Sequence, residues 1–175
     1  MKVTKEQIKE LNPCKDVWEW YLKKQEEDLL TLLLDANKRN PSDARWLFTK
    51  LMNKTQCMRI AIFSAREVLH IFEVKYPEDK RPRKAIEAVE TCLKDPSERN
   101  RELASYASAD AAYAAASAAS DAASASADAA AYAASSSYAA YAAADAYAYA
   151  SAAADAKEEL QEKIIKEAVR ILETL

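Results

Sequence analysis

Tyrosine, aspartate and serine recur at regular spacing in an alanine-rich part of the sequence, residues 104–156. This segment contains only four residue types: 31 Ala, 10 Ser, 7 Tyr and 5 Asp. From Tyr106 to Ser135, nine non-alanine residues follow one another in steps of three and four, an 11-residue repeat that places them on one face of a nearly straight helix, and the pattern resumes after a shift at residues 135–137. We call this face the Tyr/Asp stripe; it comprises Tyr106, Asp110, Tyr113, Ser117, Asp121, Ser124, Asp128, Tyr132, Ser135, Tyr138, Tyr141, Asp145 and Tyr149.

The stripe combines aromatic contact area with negative charge. Tyrosine gives a large contact area at low entropy cost and is enriched at protein interfaces. The aspartates make the face acidic, which suits a basic protein partner. The stripe is therefore either a recognition surface for a protein or the solvated face of a helix.

The alanine flanks of the stripe predict close helix packing. Alanine has the highest helix propensity, and small side chains let neighbouring helices approach closely. We expect a reversal near the three serines at 135–137, and the alanine faces would also permit a homo-oligomer. A membrane span is disfavoured because each Asp at the bilayer centre costs about 2.5–3.5 kcal/mol. An ice-binding face is disfavoured because the segment contains no Thr.

A basic run forms a second candidate site. It contains Lys80, Arg81, Arg83 and Lys84. Such a group could contact a phosphate or an acidic partner. The alternative, which we favour, is a charged loop whose arginines pair with Glu78, Asp79 or helix C-termini.

The sequence lacks the patterns of catalytic and metal sites. His70 is the only histidine and has no catalytic pattern near it in sequence, so we predict a structural histidine. Cys14, Cys57 and Cys92 are widely spaced and are predicted to be core residues, without a disulfide framework or zinc site. The chain has no glycine, which excludes the usual phosphate-binding loops. We expect a protein without catalytic residues, cofactor or metal.

Charge and the first residues indicate the class of partner and the compartment. The formal net charge is −3, and residues 104–156 carry five Asp and no basic residue. This distribution does not favour direct binding of nucleic acid, which requires a basic surface. The first residues are too polar for a signal peptide, so we expect a cytoplasmic protein in a bacterium, or in a host cell if a phage encodes it.

Apolar periodicity predicts the fold. We expect a single-domain, all-α fold of about seven to nine helices, with the alanine-rich helices closely packed. The strongest amphipathic run extends from about Thr55 to Lys75, with Met58, Ile62, Ala65, Leu69 and Phe72 on its apolar face. Thr4 and Gln7 are predicted to form a capping box at the first helix, and prolines at 13, 41, 77 and 96 should separate helices. The predicted parts are the N-terminal helices (1–41), an amphipathic helical core (42–103), the alanine-rich helices (104–156) and a C-terminal helix (157–175).

The middle of the chain resembles a family of bacterial immunity proteins, which are predicted to neutralise polymorphic toxins. The resemblance covers roughly residues 42–156 and ends in an alanine-rich helical tail. It rests on Cys57 and Ala61, on Ala65-Arg66 followed by Phe72, and on Pro77, Asp79, Arg81, Pro82, Arg83, Ala85, Ile86, Glu87 and Ala88. Where the family tail is rich in His and Arg, this chain carries Tyr, Ser and Asp, which implies a different partner.

The resemblance implies a protein that binds and occludes a toxin, with the Tyr/Asp stripe as the expected contact surface. The stretch NPCKDVWEW resembles an N-terminal motif of phage and bacterial proteins. An alternative is therefore a phage anti-defence protein, either an anti-CRISPR-type inhibitor of a defence effector or a protein that sequesters a small nucleotide. A third alternative is a structural or scaffold helical protein.

Overall fold

The computed structural model describes residues 2–24, 28–107 and 154–174. These residues form eight helices and no strand, apart from one β-bridge between Lys2 and Asp28. The all-α prediction is thereby confirmed. The helices are α1 (Lys5–Glu10), α2 (Lys15–Leu22), α3 (Leu29–Arg39), α4 (Pro41–Leu51), α5 (Lys54–Lys75), α6 (Arg81–Lys94), α7 (residues 98–107) and α8 (Ala154–Glu173).

Short polar side chains begin the helices. Thr4 and Gln7 form a reciprocal capping box at α1, and Asn53 and Gln56 exchange the same pair of bonds at α5. Asp28 accepts hydrogen bonds from two backbone N–H groups at the start of α3. Ser97 caps α7 by accepting from the backbone N–H of Asn100. These bonds satisfy donors that have no partner within a helix.

The helix ends follow the predicted breaks. The helices α1, α3, α5 and α6 all end before an X-Pro pair, because the residue before proline is driven out of the helical region. Asn12 follows α1 with φ 53°, a conformation that asparagine tolerates better than most residues. A chain without glycine can therefore still end a helix in the left-handed region.

The long amphipathic helix α5 lies inside the core. Its predicted apolar positions Met58, Ile62, Ala65 and Leu69 are buried, as expected from their helical spacing. The side chain of Phe72 lies outside the described part. One face of α5 packs on α6 and another packs on α8, so α5 holds these two helices in place.

The C-terminal helix α8 connects α3 and α4 with the long helix α5. Its described part already includes Ala154, ahead of the predicted start at residue 157, and it packs against α3, α4 and α5. Two buried amides contact it: Asn37 donates to the Gln161 side chain at 3.4 Å, and Gln56 donates to the Ile171 carbonyl at 3.2 Å. Buried polar groups need such partners, so these bonds help to fix the position of α8.

The N-terminal helices share this core. The Tyr21 hydroxyl donates to the Val3 carbonyl at 2.8 Å, which ties α2 to the start of the chain. The Trp20 ring lies beneath Lys24 and Arg39, two cations that connect α2 with α3. None of the helices in the described ranges is both long and apolar enough to cross a membrane.

Candidate functional site

The loop between α5 and α6 sets the direction of the two helices that form the site. Asp79 accepts hydrogen bonds from the Arg81 backbone at 3.1 Å and from the Arg81 guanidinium at 2.6–3.1 Å. Pro82 follows in the first turn of α6, where a missing N–H is tolerated. The loop therefore reverses the chain, and α6 returns along α5.

Charged residues face one another along the seam between α5 and α6. Arg83 donates to Glu73 through two nitrogens, at 2.7 and 2.6 Å, and Arg66 pairs with Glu90. The partner number falls along α6 as the residue number rises along α5, so the helices are antiparallel. His70 and Glu87 lie between these pairs, one helical turn from each.

A cleft opens at this seam. Its volume is about 280 Å³, and its apolar lining comes from the buried Leu69 and Ile86. Its polar lining comes from Arg66, His70, Glu73, Arg83 and Glu87. None of the described residues that line it carries a hydroxyl or a thiol, so these residues offer no side-chain nucleophile of the serine or cysteine type.

The Glu73–Arg83 pair changes the ionisation of both partners. The bidentate bonds from Arg83 lower the pKa of Glu73 below its ordinary value of 4.5. The same bonds raise the pKa of Arg83. Both partners are therefore held charged at neutral pH, and the pair forms a fixed, neutral side of the cleft.

We expect Glu73→Gln to lower the melting temperature by about 1–3 °C at pH 7, because a surface ion pair contributes little. The folded-state pKa of Glu73 is lowered, so its contribution is present above pH 4.5 and is lost as the pH falls through that lowered value. The two proteins should therefore melt alike at pH 2. Glu78→Gln, which removes an exposed loop carboxylate, is the control, and an equal effect of Glu78→Gln would contradict the assignment.

Both arginines of the basic run are held in ion pairs. Arg81 pairs with Asp79, as predicted, whereas the partner of Arg83 is Glu73 on the preceding helix, which was not predicted. Lys80 and Lys84 are exposed. The pairing of Arg83 with Glu73 follows from the antiparallel α5–α6 hairpin, in which residues at equal distances from the loop face each other.

Most of the Tyr/Asp stripe lies outside the described residues. Its first member, Tyr106, is in α7 and is 71% exposed. The remaining members, from Asp110 to Tyr149, and the predicted close packing of the alanine-rich helices fall in the part that is not described. Leu103, one turn before Tyr106, is also exposed.

His70 and Cys14 both lie at the surface, and for Cys14 the prediction of a core residue is wrong. His70 is exposed and lines the cleft, because its position falls on the polar side of α5 that faces α6. Cys14 is exposed because it precedes the first turn of α2, ahead of the apolar face of that helix. Cys57 and Cys92 are buried, as predicted. No group of three or more potential metal ligands occurs within the described ranges.

Comparison with known proteins agrees with the resemblance. No curated protein and no solved structure matches the chain. A protein-family model does match, over residues 48–175, which extends beyond the resemblance through α8. This match spans well over half of the sequence and includes α5, α6 and the cleft between them. The chain therefore belongs to the family described as "Imm-5 like putative immunity protein".

Proposed function

We propose that this protein neutralises a toxin by binding it stoichiometrically and covering its active site or substrate groove. The observation that carries the proposal is the family match over residues 48–175. An inhibitor of this type needs a rigid surface and no reactive group. The cleft fits this requirement, because two ion pairs fix its sides and its described lining contains no serine or cysteine nucleophile.

We further propose that the Tyr/Asp stripe is the main contact surface. The exposure of Tyr106 supports this assignment, since a buried Tyr106 would have placed the start of the stripe in the core. An exposed aromatic ring beside the exposed Leu103 is also typical of a binding surface rather than of a face selected for solubility. The acidic residues of the stripe fit a basic partner.

Nucleotide sequestration has less support. It requires Arg81, Arg83 or Lys84 to be available for phosphate in a pocket. Arg83 does line the cleft, but its bonded nitrogens point at Glu73, and Arg81 is engaged by Asp79. A phosphate entering the cleft would also meet the carboxylates of Glu73 and Glu87, which repel it.

A pull-down with the tagged protein from lysate of the source cell, followed by native mass spectrometry, tests the proposal. The expected result is a 1:1 complex with a protein whose toxic activity is lost in the complex. A bound mass of a few hundred daltons would replace the proposal with nucleotide sequestration. Self-association alone would replace it with a structural role, and a defence effector as the captured protein would indicate an anti-defence inhibitor.

The double variant Tyr113→Ala and Asp121→Lys should keep the fold and lose the partner. Substitutions on an exposed face change stability by about ±0.5 kcal/mol each, whereas loss of interface hot spots costs 2 kcal/mol or more each. We expect the affinity for the captured toxin to fall at least about 100-fold, measured by isothermal titration calorimetry.

The matched control makes the same exchanges at Tyr147 and Asp155, which have the same residue types but fall outside the stripe positions. This variant should bind like the wild type. Unfolding of the stripe variant, seen by circular dichroism, would mean that the stripe faces the core. Equal loss of affinity in both variants would mean that the stripe is not the contact surface.

A further inference from the structure

Three facing pairs of residues line the α5–α6 seam, and the middle pair differs from the outer two. Arg66 with Glu90 and Arg83 with Glu73 are closed ion pairs. The middle pair consists of His70 and Glu87, which are both exposed and form no ion pair with any residue of the described ranges. Ion pairs therefore join the two helices at the outer positions of the seam, whereas the middle pair, which we call the open level, forms none in the described ranges.

At the open level, the carboxylate of Glu87 has no ion pair with any residue that the structure describes. The outer pairs are neutral, and the Nε and Nη2 atoms of Arg83 are both directed at Glu73. Glu87 acts on Arg83 only electrostatically, from one turn further along α6. The charged residues of the whole seam are two arginines and three glutamates, so acidic groups exceed basic ones by one.

The shape of the cleft fits a long cationic side chain. Leu69 and Ile86 provide apolar walls against which an aliphatic stem can pack, while the carboxylate of Glu87 stands in the polar lining. Lysine and arginine bury their stems in this way and keep the charged end at a polar group. A charge-assisted hydrogen bond to the carboxylate would then complete the open level.

We infer that the α5–α6 cleft receives a lysine or arginine side chain of the toxin, with the Glu87 carboxylate as the acceptor. The inference rests on the proposed function, since it names the chemistry of the partner at a second contact. A neighbouring groove of about 300 Å³ between α5, α6 and α8 differs from this cleft in the charge that lacks an ion pair. Its acids Glu90 and Glu167 are paired, whereas Arg59 has no ion pair in the described part. The charged residue without an ion pair in the described part is thus an acid in the first cleft and a base in the second, which favours a cation at Glu87.

The cleft can be tested without the toxin. N-acetyl-arginine methylamide is titrated into ¹⁵N-labelled protein at pH 7.5, and amide shifts are followed by NMR. We expect saturable shifts at Leu69, His70 and Glu87 with a dissociation constant in the millimolar range, as for a single contact. Glu87→Gln should abolish saturation at these amides. Glu10→Gln, at an exposed carboxylate on α1, should leave it unchanged.

Three results would overturn the inference: no shifts, equal shifts in Glu87→Gln, or the same shifts with N-acetyl-glutamate methylamide. In the complex with the captured toxin, Glu87→Lys should lower the affinity about tenfold or more, and Glu10→Lys should not. If the complex forms and Glu87→Lys has no effect, the cleft assignment fails while the proposed function stands. If no complex forms, the proposed function fails, and the arginine titration still decides whether the cleft binds a cation.

Discussion

A chain that begins at residue 48 is expected to lose its cooperative fold. The family match starts there, but the buried core includes residues of α3 and α4, which pack against α8. Leu29, Leu32 and Leu33 are at most 1% exposed, and burying them contributes about 5–9 kcal/mol in total. A domain is typically stable by only about 5–15 kcal/mol, so their removal should consume most of that margin.

The measurement is urea unfolding followed by circular dichroism, with the full chain as reference. The shortened chain should lack a cooperative transition and show fast amide exchange in α8, because the apolar face of α8 is uncovered and Gln161 loses Asn37. Deletion of residues 1 and 2 only, which removes no buried side chain among the described residues, is the control and should unfold like the full chain. A native-like transition in the chain from residue 48 would show that residues 1–47 are separable, contrary to the single domain of residues 1–175 that we predict.

Deletion of residues 1–47 should also affect the cleft between α5 and α6. The cleft is formed by α5 and α6, and α5 is supported from its other side by α8. The helix α8 is in turn covered by α3 and α4. The N-terminal helices therefore act on the binding surface indirectly, by holding the helix that supports α5. Loss of toxin binding after deletion is expected even though none of the described N-terminal residues lines the cleft.

Local rules in the sequence predicted most of the described helices. Proline positions fixed the breaks, and helical spacing identified Met58, Ile62, Ala65 and Leu69 as buried. Capping chemistry identified Thr4 with Gln7. These features depend on neighbours within one or two turns, so they can be read from a single chain.

The cleft could not be predicted in the same way. It depends on the register between two helices, because Arg83 reaches Glu73 only once the loop has reversed the chain. His70 is exposed although its neighbours in sequence are apolar, because one step along a helix turns a side chain by about 100°, enough to move it to the polar face. Cys14 was misplaced for a related reason: it stands at a helix start, where the apolar period does not apply.

The substitution Phe48→Ala should be the most destabilising single truncation among the described aromatic residues. Phe48 is fully buried on α4, at 0% exposure, and is the first residue of the family match. Replacing a buried Phe by Ala removes its transfer free energy and leaves a cavity, at a cost of about 3–5 kcal/mol. The chemical denaturation midpoint should fall accordingly while the helix content of the remaining folded protein stays the same.

Phe63→Ala is the matched control, because Phe63 on α5 is half-buried and Lys163 of α8 lies over its ring at 6.0 Å. Part of that ring already contacts water, and the site can relax after truncation, so we expect a loss of about 1–2 kcal/mol. Equal losses in the two variants would contradict the placement of Phe48 at the centre of the core. A larger loss in Phe63→Ala would instead make the α5–α8 contact, which supports the cleft, the more important part of the core.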